Sequence, residues 1–407
     1  MGQGDGGARP DAAQAPRTSA MSTTPHWRVT LADNTVDDRE IAAVTDVLRS
    51  RWLSAGPQTR QFELEFAGML GLPDAVAVSS GTAALHLAAM ALDLRPGDEV
   101  ILPSLSFVAA AAAIALQGAT PVFADVRSAQ DLTIDPADAA RLITARTRAI
   151  VIMHYGGHPA DLTALRRAAD DHDLSLVEDA AHAPVTGQPG RMLGTLGDLG
   201  CFSFFATKNI TTGEGGMVVA QDPAVLERIR RMRAHFMTTS TQDRMRSGTA
   251  DYDVPGLGLN YRPTDICSAL GRVQLAKLAD DRARRRRLAA TYRALLGDVR
   301  GMVIPFEESA GASAHHLMAV LLPAGMDREA VRAGLTAAGI QTSVHYPPTH
   351  RFTFYQRTFA SSRRPLPVTE AVAPRLLSLP LHSRMSHDDA VLVAVTLATT
   401  VHALTRA

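Results

Sequence analysis

Short apolar runs recur from Ala75 to Ala220, most of them separated by helical segments, and this rhythm restricts the fold more than anything else in the chain. The runs are Ala75-Val-Ala-Val78, Glu99-Val-Ile-Leu102, Thr120-Pro-Val-Phe-Ala-Asp125, Ala149-Ile-Val-Ile-Met153 and Leu174-Ser-Leu-Val-Glu-Asp179. Cys201 to Phe205 and Gly216 to Ala220 add two more. They are mostly continuous and rich in β-branched residues, which marks strands buried on both faces. Thr82 to Leu92, the alanine-rich run Leu105 to Leu116 and Leu162 to about Asp171 read as intervening helices. The expectation is an α/β fold, built on a mainly parallel seven-stranded sheet covered by helices.

Beyond about Asp280 the character changes. Arg282 to Leu296 reads as a basic helix whose Arg284-Arg-Arg-Arg287 run is expected on a solvated face. His316 to Leu322 reads as a strand and Arg328 to Ala338 as a helix. A large domain over 26–280 and a smaller C-terminal α+β domain over 281–407 are therefore expected. Residues 1–25 are rich in Gly, Ala, Pro, Ser and Thr, lack a signal peptide's apolar segment, and are expected to be disordered. Met21 is an alternative start.

Charge excludes some partners. Lys plus Arg and Asp plus Glu are 41 each, which gives no electrostatic pull toward nucleic acid or an anionic membrane. The longest apolar run, Leu105 to Leu116, is shorter than the roughly 20 residues that span a bilayer. Two cysteines, Cys201 and Cys267, form no disulfide framework and fit the reducing cytoplasm. His154 and His158 are separated by Gly156 and Gly157, so a helical zinc pair is not expected, and no metal role is assigned.

Lys208 follows the aromatic-rich run Cys201-Phe-Ser-Phe-Phe205 and is closed off by Gly213-Glu-Gly-Gly216. A lysine so held can be desolvated and aimed as a nucleophile toward an aldehyde. Asp179 ends its strand where open α/β sheets bind ligands. The pair looks like the lysine and aspartate of an enzyme that uses pyridoxal 5'-phosphate (PLP). PLP also needs phosphate holders and a flat side chain against its ring. Gly81 and Thr82, at a strand-to-helix turn, offer close backbone approach, a hydroxyl and free N–H groups. Ser203 can add a second hydroxyl, and Phe107 follows a strand end on the same side.

These motifs together resemble the DegT/StrS family of nucleotide-sugar aminotransferases, PLP enzymes of fold type I. The resemblance runs from about Trp27 to the C-terminus. It is carried by Ser80-Gly81-Thr82, Pro96-Gly97-Asp98, Glu178-Asp179-Ala-Ala-His182, Gly197-Asp198 through Lys208, Gly213 to Gly216, Leu259-Asn260-Tyr261-Arg262 and His345-Tyr346-Pro347. It implies Lys208 as the Schiff-base lysine and Asp179 as partner of the pyridine nitrogen. Gly81, Thr82 and Ser203 match the phosphate holders, Phe107 the ring-stacking position, and His182 a residue near the ring hydroxyl. Asn260 matches an asparagine that reaches the neighbouring subunit's cofactor, which implies a homodimer with shared active sites. His345 and Tyr346 fall where the family lines its substrate pocket. The implied reaction moves an amino group from an amino acid, glutamate being expected, to a keto group of a nucleotide-activated sugar, with PLP cycling through pyridoxamine phosphate. A keto-cyclitol of the scyllo-inosose type is an alternative acceptor, and a non-catalytic regulatory protein of the same fold a further alternative. His235-Phe236-Met237 departs from the family's usual His-Gly, and Thr238 to Asp253 reads as a polar insertion near the substrate mouth.

Overall fold

A computed structural model describes residues 27–239, 244, 248, 251–359 and 364–406. The N-terminal tail with Met21, and most of the insertion Thr238 to Asp253, lie outside the described residues. Seven strands form the main sheet: β1 Val76–Val78, β2 Glu99–Pro103, β3 Thr120–Ala124, β4 Thr147–Met153, β5 Ser175–Asp179, β8 Leu199–Ser203 and β9 Gly216–Ala220. Between β5 and β8 lies the small hairpin β6 Gly187–Gln188 with β7 Arg191–Met192. The order across the sheet is β1-β9-β8-β5-β4-β2-β3. Pairings β8-β5-β4-β2-β3 are parallel, and β9 runs antiparallel to both of its neighbours. The expected sheet is present, with β8 starting two residues earlier than the aromatic run Cys201 to Phe205 suggests.

The alternation along β8 positions the site. Phe202 and Phe204 point into an aromatic cluster with Phe62 and Phe66, with Phe66 and Phe202 rings 4.9 Å apart. Cys201 packs on the opposite face, and Ser203 ends the strand beside Gly81. On that face the helix Gly81–Ala91 is buried almost all round by alanine and leucine, as a helix in the middle of a core must be. Ser80 caps it by accepting from Ala83 N–H at 3.0 Å.

No break occurs at 280, because a single helix runs from Asp265 to Leu296, capped by the Thr264 hydroxyl. Its first half packs on the large sheet through Leu275 and Leu278. Its second half packs Leu288, Tyr292 and Leu296 into a second core with the antiparallel strands β10 Met318–Leu321 and β11 Leu376–Leu379. The helix thus belongs to both cores, and the change in composition near 280 marks the exchange of one packing partner for the other. Val29 also joins the second core and pairs with Ile340, so the first described segment packs against the smaller unit. The basic run is not uniformly solvated either: Arg285 is 3% exposed and donates to Leu381 O at 2.7 Å.

The helix His387–Arg406 is long and apolar enough, by length and composition, to cross a membrane. In this fold Ala390, Val393, Ala394, Leu397 and Val401 line the second core.

Candidate active site

The loop after β8 is closed by its own backbone. Thr212 N–H donates to Phe204 O, and Lys208 N–H donates to Phe205 O, both at 2.9 Å. Asn209 then fixes the loop from outside. Its side-chain amide donates to Ala314 O at 2.8 Å, and its Oδ1 accepts from His316 Nδ1 at 2.9 Å. Lys208 is held by this frame while its ammonium group has no hydrogen-bond or ion-pair partner among the described residues. Burial pushes its pKa down to about 8, against the opposing pull of the Asp179 charge. The whole chain contains two lysines. The other, Lys277, is committed to Glu40 at 2.6 Å, Asp37 at 2.9 Å and Thr35 O at 2.7 Å. Counting lysines narrows the nucleophile to two candidates from sequence alone, and the structure removes Lys277.

Asp179 ends β5, paired with Met153 on β4 and Cys201 on β8. It is 4% exposed and accepts from Ala181 N–H at 3.1 Å. Burial raises its carboxyl above the usual range, while the Ala181 N–H and the Lys208 charge act in the opposite direction. Its neighbour Glu178 faces the other way and is fully buried. Glu178 accepts from Gly194 N–H at 2.8 Å and from Leu196 and Gly197 N–H at 2.6 Å each. His154 Nδ1 accepts from Ala160 N–H, which leaves the Nε2 proton for Glu178 at 2.8 Å. Burial alone would raise the Glu178 carboxyl, but His154 and these N–H groups hold it low. Glu178 therefore anchors the loop behind Asp179. Glu178→Gln turns an amide donor against these donors and is expected to cost about 3–5 kcal/mol, measured by urea unfolding of the cofactor-free protein.

The cradle forms where β1 enters its helix. A Cβ added at Gly81 would lie 2.7 Å from the Ser203 Cβ, so only glycine lets these two motifs meet. Thr82 is exposed beside it. Ser79 N–H donates to Tyr261 O at 2.8 Å, bringing the Asn260 segment alongside. Asn260 itself is exposed, and its backbone bridges to Ala234. Phe107 is 51% exposed, with its ring 5.5 Å from that of Tyr346.

His182 and Tyr346 join the two parts of the chain. His182 Nδ1 accepts from Gly156 N–H at 3.2 Å, so Nε2 carries the proton and donates to the Tyr346 hydroxyl at 2.9 Å. Burial, then the charge of Lys208, pushes the His182 imidazole well below its ordinary pKa. The Tyr346 hydroxyl keeps its own proton to give elsewhere, and burial pushes its pKa up. The His316 ring lies 4.3 Å from His182. His345 bonds Ser378 Oγ at 2.9 Å, and its carbonyl accepts from the Tyr155 hydroxyl. Burial and Lys208 lower the His345 pKa to about 4. The structure thus gathers Asp179, His182 and His345 near Lys208, with Tyr346 bonded to His182 and Gly81 against Ser203. Sequence reasoning missed Asn209 and Tyr155, gave Glu178 no role of its own, and left His316 without a partner. Asn209 beside the lysine and Glu178 beside the aspartate were visible as neighbours, but their partners are distant in sequence.

Residues 34–398 match the DegT/DnrJ/EryC1/StrS aminotransferase family. The chain belongs to that family. It is 41% identical over 359 residues to the spore coat polysaccharide biosynthesis protein SpsC of Bacillus subtilis strain 168, covering 87% of this chain and 92% of the relative. It is 41% identical over 358 residues to the dTDP-4-dehydro-2,3,6-trideoxy-D-glucose 4-aminotransferase of Saccharopolyspora spinosa, covering 86% and 90%. Among solved structures, the aminotransferase TlmJ from Streptoalloteichus hindustanus superposes with a TM-score of 0.85 at 36% identity, over 92% of this chain and 99% of that one. Aminotransferases of this family use PLP, and the fold agrees with fold type I.

Proposed function

We propose that the chain moves an amino group from glutamate to a keto group of a nucleotide-activated sugar, using PLP held at Lys208. The observation that carries this reading is a lysine and an aspartate buried close enough to act on each other's charge, neither bonded to another side chain among the described residues. Such a pair suits a ring that presents an aldehyde carbon to the amine and a basic nitrogen to the carboxylate. The Gly81–Ser203 contact and the exposed Thr82 hydroxyl suit a phosphate at the helix N-terminus. Bound PLP supplies a carbonyl for the donor's nitrogen and a ring that spreads the electrons left when a proton departs.

The residues divide the remaining work. Lys208, with a pKa near 8, can take and return a proton at neutral pH. Asp179, buried near Lys208, can supply the negative charge that a basic ring nitrogen calls for. Neutral His182 and the Tyr346 hydroxyl present a hydrogen-bond donor without adding charge. The homologous dTDP-sugar 4-aminotransferase supports a nucleotide sugar as acceptor. The test is a panel of keto-sugar nucleotides and keto-cyclitols incubated with glutamate, following 2-oxoglutarate. Turnover with keto-cyclitols alone would overturn the nucleotide-sugar assignment.

The same reading makes the enzyme a homodimer with Asn260 completing the partner's site. Tyr252, Val254 and Leu257 are exposed apolar residues just before Asn260, as a partner-facing segment requires. Lys208→Ala and Asn260→Ala proteins are each expected to be inactive. Refolded together, half of the dimers are mixed and each mixed dimer has one intact site, so about a quarter of normal activity is expected to return. No recovery on mixing would place Asn260 at its own chain's site.

A further inference from the structure

Away from the Lys208 cleft, a pocket of about 270 Å³ opens between the middle of the helix Asp265–Leu296 and the turn before Ser313. Arg282, Arg286, Thr186, Gly187, Ser313 and His315 contribute to its wall, and no acidic residue does. Arg282 and Arg286 lie one turn apart and so share a helix face. Arg282 gives one guanidinium nitrogen to Val185 O at 2.6 Å, which fixes its fork while leaving its charge uncompensated. Arg285 and Arg293 stand behind them, and they too end on carbonyls, Leu381 O and Pro305 O, each at 2.7 Å. Among the described residues none of these four arginines has an ion-pair partner. His315 is 5% exposed, and its Nε2 has no hydrogen-bond partner among the described residues. Burial, followed by Arg293, Arg286, Arg285 and Arg282, pushes its imidazole down to about 4. Asp281 offsets part of the Arg285 charge and Glu307 part of the Arg293 charge, whereas burial and the like charge of Arg286 both act against Arg282, a balance that an anion in the pocket would redress.

We propose that this pocket is a second ligand site that takes one small phosphate-type anion, gripped by Arg282 and Arg286 with His315 as an inner donor. Guanidinium forks suit tetrahedral oxyanions. The volume falls just below the roughly 300–1,000 Å³ of pockets that enclose drug-sized ligands, so it suits a phosphate group rather than a whole nucleotide. The phosphate comes either free or as the head of a small monoester.

The test uses the PLP-loaded enzyme, so that the cradle at Gly81 is already filled, in phosphate-free buffer. Calorimetric titration with inorganic phosphate, and separately with glycerol phosphate, is expected to show one saturable site per chain for at least one of the two. Arg286→Gln is expected to weaken it at least tenfold, with unchanged turnover in the absence of phosphate. Arg284→Gln, an exposed neighbour outside the pocket, is expected to bind as the unaltered chain does. Tighter binding of glycerol phosphate than of phosphate assigns the monoester as the source, and the reverse assigns the free ion. The proposal is overturned if neither probe saturates, or if Arg286→Gln binds normally. It is equally overturned if Arg284→Gln weakens binding as much as Arg286→Gln does, since that identifies an adventitious ion only, held by diffuse helix charge.

Discussion

Lys208→Ala is expected to abolish turnover, by at least about ten-thousand-fold, while leaving the fold intact. Positioned proton transfer alone supplies about 10²–10⁴-fold, and the alanine also removes the nucleophile that holds the cofactor. No second lysine can substitute, because Lys277 is locked to Glu40, Asp37 and Thr35. Stability separates a lost reaction from a lost fold. The Lys208 pKa is about 8 in the folded chain and higher when unfolded. Folding therefore disfavours its charged form, and that cost is fully present below about pH 8 and disappears as pH rises to the unfolded value. The cofactor-free alanine variant should accordingly unfold at the same or higher urea concentration than the parent below pH 8, with the difference closing above it. A variant that is inactive and also markedly less stable at pH 7 would reassign Lys208 to a structural role.

Asp179→Asn is expected to lower turnover about a thousandfold without preventing cofactor capture. At about 4 Å and an effective dielectric near 20, opposite charges attract by roughly 4 kcal/mol, close to three powers of ten in rate. The amide keeps the shape of the side chain and can still accept from Ala181 N–H. Lys208, Gly81 and Ser203 are untouched, so binding should weaken far less than turnover. The comparison is kcat against cofactor Kd in one preparation. Equal losses in both would mean that Asp179 serves only to shape the cleft.

Both positions stand out in the sequence because each sits where a local rule applies: Asp179 at the end of an apolar run, Lys208 between an aromatic strand and a glycine turn. The sheet was legible for the same reason, since continuous β-branched runs have few other uses. What escaped was long-range. A 32-residue helix shared by two cores reads as a boundary, because its buried residues change partners midway while its helical periodicity continues. Arg285 reads as solvated within a run of arginines, and only the fold brings the Leu381 carbonyl to it. Tyr346 matched the substrate-pocket position, but its bond to His182 spans 164 residues and follows from no local pattern.

The most direct measurement is borohydride reduction of the PLP-treated protein, followed by digestion and mapping of the phosphopyridoxyl group. With two lysines in the chain the outcome is sharp. The group is predicted on the peptide containing Lys208. Its recovery on Lys277, or on neither lysine, would contradict the assignment.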